Sequence, residues 1–493
     1  MGSSSRLVLQ ELGVGIVYSS ALEPLLTMHP ELIDVLEVEP QTTWIETQDP
    51  SVPYLVRPDL LQHIAALPGR KLVHSVGTPV GGSVRANAAQ FPLLRQTVEK
   101  LDSPWASEHL SFNLTQDYFT GFFLPPRQTA AGLRLYIEAI QLLKKELGVP
   151  LAVETGVNYL RPRPDEIPDG EFIAAVVESA DCGILLDLHN IYCNECNGRQ
   201  SVAQFLSQLP LDRVWEVHLA GGFEMEGFWL DAHSGSIPEP LQRICREVIP
   251  ALPNVKAIIF EIFSSFLPHF GLDATCRELE KIHEVWALRS THSRAMPVTS
   301  PPRIPWPQSG VEPVEWEQAL GRIVIGRDAT GSLEKEFAAD PGAHLIRALV
   351  REFRASMVVA VYRLSCRLLM LALGVGIFRA LLEDFWSHTP PQQFAGTEAD
   401  AFADYLVAKE IRVPQLQSIL AFERASLATL RDGRPRIVSF NVDPLPMLRA
   451  LADGVLLQDP GTPGEYEIEI TEDGPIRIAG ILPESASRNI PFH

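Results

Sequence analysis

The side chains best suited to chemistry are His74, His109, Glu154, Asp187, His189, Asn190, His218, Asp231, His233 and Glu261. Each ends, or closely follows, a short apolar run. Imidazole and carboxylate together suit iron, zinc or manganese, and the set contains no thiolate of the kind that structural zinc sites use. So many ligands exceed the needs of one ion, and Glu154 or Glu261 has two oxygens with which to bridge neighbouring ions. Taken singly, each residue has a plainer role. A lone histidine at a strand end is often a hydrogen-bonded core residue, Asp187 suits a loop turn, and Asp231-Ala-His233 suits a turn with a helix cap. The joint pattern is what points to metal.

That pattern needs a scaffold that brings distant residues together. Runs at 13–17, 35–38, 71–74, 105–109, 151–154, 183–187, 214–219 and 257–261 read as strands, with helical spacing between or after them, as at 132–147 and 272–288. Eight such strands alternating with helices predict an α/β fold, a (β/α)8 TIM-type barrel; an open doubly wound sheet is the alternative. In a barrel the C-terminal strand ends ring one mouth, where active sites lie. Glu37 and Glu39, at the end of the second run, are candidates to support the ligands.

The chain has 493 residues, which implies two domains or more. Prolines 297, 301, 302, 305, 307 and 313 mark an extended linker. We therefore expect a barrel domain at 1–290, a linker at 291–313 and a C-terminal domain at 314–493. In the last part, 332–337, 345–353, 357–382, 397–409 and 413–431 read as helices, and 437–442, 466–470 and 476–481 as strands. The apolar stretch 357–382 is interrupted by Arg363, Arg367 and Arg379, so it reads as one buried helix rather than a membrane span. A formal net charge of -20 disfavours a nucleic-acid partner. The 6 cysteines are too few for a disulfide scaffold. Cys193 and Cys196 form a lone C-x-x-C, and free thiols in a reducing cytoplasm are the expected state. No signal peptide, Walker loop or Ser-His-Asp elbow is apparent.

The segments His74-Ser-Val-Gly77, Ser107-Glu-His109-Leu, Glu154-Thr-Gly-Val-Asn158-Tyr159, Leu186-Asp187-Leu-His-Asn190-Ile-Tyr192, Glu216-Val-His218-Leu-Ala-Gly221 and Asp231-Ala-His233 resemble one family. It is the multinuclear non-heme iron-dependent oxidative enzymes, to which the methanobactin-biosynthesis oxidase belongs. The resemblance covers roughly residues 10–290. It implies a barrel that binds two or three iron ions (Fe2+/Fe3+) and uses dioxygen to modify a ribosomally synthesised precursor peptide, often at cysteine. The family's ligands carry over to His74, His109, Glu154, Asp187, Asn190, His218, Asp231, His233 and Glu261. His189 stands where the family commonly has asparagine and is a candidate extra ligand. Thr155 and Ile262-Phe263 also depart from the usual pattern. Such oxidases work with a separate partner that recognises the leader peptide. Leu381–Phe385, Phe402–Leu406 and Leu420–Ala425 faintly resemble that partner class, which suggests a fusion of the two. Hydrolases and sugar isomerases of the apurinic-endonuclease and xylose-isomerase barrel types use similar ligands. They are the rival enzyme reading, and a non-catalytic peptide- or metal-binding scaffold is the other.

Overall fold

In the computed structural model, residues 9–47, 49–289, 306–307, 309–457, 461–472 and 477–480 are described. Eight strands pair in chain order: β1 (Gly13–Val17), β2 (Val35–Val38), β3 (Arg70–Ser75), β4 (Ala106–His109), β5 (Leu151–Glu154), β6 (Gly183–Asp187), β7 (Val214–Ala220) and β8 (Ala257–Glu261). Every pairing is parallel, and β8 returns to β1, which closes the barrel. Strands covered on both faces read as continuous apolar runs, and β6 is buried at every position. The predicted TIM-type barrel is the fold, and the β1–β8 pairing rules out the open sheet.

Helices wrap the barrel: α1 (Pro58–Ala66), α2 (Gln90–Leu101), α3 (Ala130–Leu147), α4 (Asp169–Ala180), α5 (Leu188–Cys196), α6 (Val202–Gln208), α7 (Glu239–Val248) and α8 (Leu272–Ala287). The sequence of α3 shows how they form. Thr129 caps its start by accepting from Gly132 N, Gly148 ends it in the left-handed region, and Leu133, Tyr136, Ile140, Leu143 and Leu147 form its buried stripe. Three connections at the mouth carry hairpins, the first pairing Trp44–Glu46 with Tyr54–Val56 after β2. Phe112–Leu114 pairs with Phe119–Leu124 after β4, and Phe223–Met225 with Phe228–Leu230 after β7.

The C-terminal region holds α9 (Pro313–Val324), α10 (Ser332–Ala338), α11 (Pro341–Val361), α12 (Arg363–Leu373), α13 (Val375–His388), α14 (Ala395–Ala408), α15 (Leu416–Asp432) and α16 (Pro444–Ala452). A small antiparallel sheet joins Arg436–Val442, Pro463–Ile470 and Arg477–Gly480. The expectation of one helix over 357–382 is corrected. The chain breaks at Tyr362 and again at Gly374, whose φ is +89°. Nor is that stretch wholly buried, since Val375 and Ile377 are exposed. No single helix among the described residues is long and apolar enough to cross a membrane; α11 and α12 pass together but are bent by 109°. Most of the expected 291–313 linker lies outside the described residues. Its end is docked, with Ser309 Oγ 2.8 Å from Asp165 Oδ2, and Pro313 opens α9.

The C-terminal region packs on loops at the barrel mouth. Phe112, Leu124, Tyr159, Leu160 and Leu230 share one apolar cluster with Trp316, Leu320, Phe337 and Ile346. Ser83 N donates to Glu317 at 2.8 Å, Arg161 N to Asp340 at 3.1 Å, and Arg127 lies over the Trp316 ring at 4.5 Å. Gly342 of α11 sits where an added Cβ would meet Tyr159 O at 2.0 Å, so only glycine permits that approach.

Candidate metal centre

The strand ends bring the distant residues together. His74 and His109 leave β3 and β4 side by side, with ring centroids 4.7 Å apart. Glu154 ends β5 between them: its Oε2 lies 2.9 Å from His109 Nε2 and 3.4 Å from His74 Nε2. Neighbours fix both rings. His74 Nδ1 is 2.9 Å from Ser107 Oγ, and His109 Nδ1 is 3.3 Å from Glu108 Oε1. Glu108 is itself anchored, because its Oε2 accepts from Thr78 N at 2.9 Å and Thr78 Oγ1 at 2.7 Å.

Asp187 ends β6 and starts α5 at once. Its Oδ1 accepts from Asn190 N at 2.9 Å, which caps the helix and leaves Oδ2 for the cavity. The capped turn carries Asn190 to the same side, with Nδ2 3.5 Å from Glu154 Oε1. On β7, Glu216 and His218 share the inward face because side chains alternate along a strand. His218 Nδ1 is 3.2 Å from Glu261 Oε1 on β8, and its Nε2 is 3.0 Å from Glu37 Oε2 on β2. Asp231 and His233 follow the hairpin after β7. His233 has φ +45°, and its Nε2 lies 3.0 Å from Asp231 Oδ1 and 3.2 Å from Glu261 Oε2.

Buried atoms here without a hydrogen-bond partner include Glu154 Oε2, Asp187 Oδ2, Asn190 Oδ1, His218 Nδ1, His233 Nε2 and Glu261 Oε2. They lie close to one another without the alignment of hydrogen bonds. Buried polar atoms are almost always satisfied, so a cluster of orphans facing one space calls for positive charge. Three triads, each with ligand atoms within 4.8 Å of one another, run through the site: His74/His109/Glu154, Glu154/Asp187/His218 and Asp187/His233/Glu261. Glu154 and Asp187 are each shared between two triads. A fourth triad, Glu37/His218/Glu261, reaches deeper into the barrel. The donor set fits metal ions, and more than one of them.

The protonation pattern agrees. Burial would lower the pKa of His109, but Glu154 and Glu108 outweigh it and hold it well above the ordinary value. Burial opposes ionisation of Glu154, yet His109 and His74 pull its pKa well below the usual range. Asp187 goes the other way: burial and then the Asp231, Glu261 and Glu154 charges push it well up. Burial likewise pushes Glu37 up to about 8.

Of the ten residues singled out in the sequence, seven fall in these triads, and Asn190 presents its orphan oxygen beside them. Asp231 lines the cavity next to His233. His189 is set apart. Its Nδ1 meets Asp231 Oδ1 at 2.9 Å, while Trp229 Nε1 and Cys193 Sγ approach Nε2 at 3.4 and 3.7 Å. It belongs to none of the triads. Sequence reasoning missed Ser107, Thr78 and Glu216 as supports. Only Glu216 left a signal, two positions before His218 on the same strand face. All six cysteines are free.

The fold and site together define a TIM-barrel protein of the metal-dependent class. Residues 13–287 match the family model of the RiPP precursor modification enzymes MbnB/TglH/ChrH, which act on ribosomally made peptide precursors, and the chain belongs to that family. A UPF0276 protein of Streptomyces avermitilis is 29% identical over 273 residues, covering 54% of this chain and 54% of that protein. One from Chromobacterium violaceum is 31% identical over 225 residues, covering 45% of this chain and 80% of that protein. The chain thus spans about half the length of the first relative. Among solved structures, the IolI protein with a bound zinc atom is 13% identical at a TM-score of 0.37, covering 57% of this chain and 99% of that one. A D-psicose 3-epimerase from Clostridium cellulolyticum H10 is 12% identical at the same TM-score, covering 56% and 99%. Those weak likenesses add nothing to the barrel that the strand pairing already defines.

Proposed function

We propose that this chain is a multinuclear iron-dependent oxidase that uses dioxygen to modify a ribosomally synthesised precursor peptide at cysteine. The observation that carries the reading is the set of linked triads of orphaned imidazole and carboxylate atoms, in a chain whose family modifies such precursors. His74, His109 and Glu154 would hold one ion. Glu154, Asp187 and His218, with the Asn190 oxygen, would hold a second, and Asp187, His233 and Glu261 a third. Bound iron would supply the redox chemistry with dioxygen at the substrate thiol.

The chain's own residues do the rest. Ser107 and Glu108 fix the His74 and His109 rings, and such outer partners orient ligands and tune them. His189 holds Asp231 against His233. Phe123 stacks on His109 at 4.2 Å and Phe263 lies 4.6 Å from His233, which sets an apolar ring against each end of the cluster. The C-terminal region would serve peptide recognition in place of a separate partner. Work in the cytoplasm would keep the thiols reduced.

The test is elemental analysis of anaerobically purified protein with a Mössbauer spectrum. Two to three irons per chain are expected. Zinc or manganese without iron, after iron-replete growth, overturns the reading in favour of a hydrolase or isomerase.

A further inference from the structure

The cavity over the cluster, about 530 Å³, has a part that the ligand residues do not line. The hairpin after β4 gives Phe119, Phe122 and Phe123 to its wall, and the C-terminal region gives Phe353 and Met357 of α11 and Phe394 just before α14. Phe123 also covers His109, so this apolar wall begins at the ligand ring. Phe122 and Phe353 pack edge to face, with centroids 6.4 Å apart at 72°, so hairpin and helix form one continuous wall.

Both sides are held in place. Gly121, in the hairpin, has φ +78°, and an added Cβ would meet Pro391 at 2.9 Å and Val350 at 3.2 Å. Hairpin and C-terminal region therefore press together where only glycine fits. Gln393 Nε2 donates to Gly77 O at 3.3 Å, which ties the segment before α14 to the loop after β3. Phe353 nevertheless leaves 43% of its surface exposed, a large apolar side chain in contact with solvent at a cavity wall.

We propose that Phe122, Phe353, Met357 and Phe394 form a side-chain subsite for a bulky apolar substrate residue, aromatic or branched aliphatic, adjacent to the residue that reaches the ions. The inference rests on the peptide-modifying reading above and names the class of peptide. None of the four carries charge. A polar residue placed there would lose hydration with little in return, whereas an apolar one gains by burial. The thioether of Met357 adapts to more than one shape. The C-terminal region thus sets specificity at the site itself. A pocket of this kind discriminates by a factor of about ten or more between a large apolar side chain and a small polar one.

The experiment is anaerobic calorimetric titration of the whole protein, as isolated from iron-replete cells, with four capped tripeptides. They are N-acetyl-Phe-Cys-Phe-amide, N-acetyl-Ser-Cys-Ser-amide, N-acetyl-Phe-Ser-Phe-amide and N-acetyl-Ser-Ser-Ser-amide. We expect each Phe-flanked peptide to bind about tenfold or more tightly than its Ser-flanked counterpart. The exposed position of Phe353 lets Phe353→Ser fold, and that variant is expected to lose most of the preference. Equal affinities within the pairs, a preference unchanged in Phe353→Ser, or no binding of any peptide overturns the subsite. The Cys-against-Ser comparison reads thiol contact separately. A Phe preference without thiol dependence sinks the cysteine reading and leaves the subsite standing.

Discussion

Asp187 uses its two oxygens for different ends. Oδ1 caps α5 and Oδ2 faces the cluster. Asparagine caps a helix about as well as aspartate. Asp187→Asn is therefore expected to keep the helix start while lowering bound metal by about one ion per chain, measured by elemental analysis. Asp187→Ala is expected to lose the same metal and to be less stable than Asp187→Asn by about 1 kcal/mol, measured by urea unfolding of the chelated proteins. Protons compete at the same atoms. Burial opposes the charge on His233, but Asp231 and Glu261 outweigh it and push its pKa up to about 10. A histidine raised in the folded state stabilises below its unfolded value, about 6.5, and that contribution is lost as pH rises to the folded value. Asp187, also raised, loses stability as pH rises from its unfolded value, about 3.9, towards its folded one, so it acts in the same direction. Chelated protein is thus expected to lose stability from about pH 6.5 towards pH 10. Metal-loaded protein should stay level there, with metal affinity rising with pH. A chelated protein whose thermal midpoint is flat over that range would contradict the assignment. At this scale the sequence shows residue types and their strand-end positions, which suffice to gather the triads. It does not show ring direction. His189 looks like a further ligand, but the first turn of α5 points its ring at Asp231 and Trp229.

Most of the barrel strands are legible because they are short, aliphatic and buried on both faces, as in β6 and β8, so pattern and environment agree. The helices over the mouth are less so. The stretch 357–382 has helical spacing throughout, and nothing local stops it at Tyr362. The break is held from a distance. Glu423 of α15 accepts from Leu364 N at 2.7 Å and Ser365 N at 2.8 Å, satisfying amides at the start of α12. Tyr362 bonds to Asp400 of α14. A cap supplied from another helix leaves no trace in the sequence of the helix it starts. Glu423→Ala is expected to strand two amide donors and to cost about 1–3 kcal/mol in urea unfolding. Burial pushes the Glu423 carboxyl up to about 7. Its ionised form is therefore disfavoured in the fold, and its contribution falls as pH rises from the unfolded glutamate value, about 4.3, and levels off above about 7. Glu423→Gln removes that charge, so the variant should gain on the parent as pH rises from about 4.3 to about 7 and hold the gain above it. If Glu423→Ala unfolds at the same urea concentration as the parent, the cap does not hold the break.

At the scale of the molecule, the barrel and the C-terminal region share a core rather than a surface contact. Trp316, Leu320, Phe337 and Ile346 pack with Phe112, Leu124, Tyr159 and Leu230, which belong to the mouth loops. Arg127 is fully buried and lies over Trp316, and Ser83 is bonded to Glu317. Composition cannot reveal this, because the proline-rich stretch reads only as an extended linker between two parts of the chain. The residues that join the two parts are ordinary apolar ones whose partners lie far along the chain. If the C-terminal region is removed, the mouth loops expose that cluster and Arg127 loses its cover. Residues 1–289 produced alone are expected to bind the dye ANS strongly and to aggregate, as large exposed apolar patches do. The loops after β4 and β5 carry the cavity wall, so the same fragment is expected to lose the aromatic subsite before the ligand cluster, whose residues sit on the strands. A soluble fragment with weak ANS binding and the parent's metal content and tripeptide preference would show that the barrel builds its own mouth. It would also show that the C-terminal region serves something other than this site.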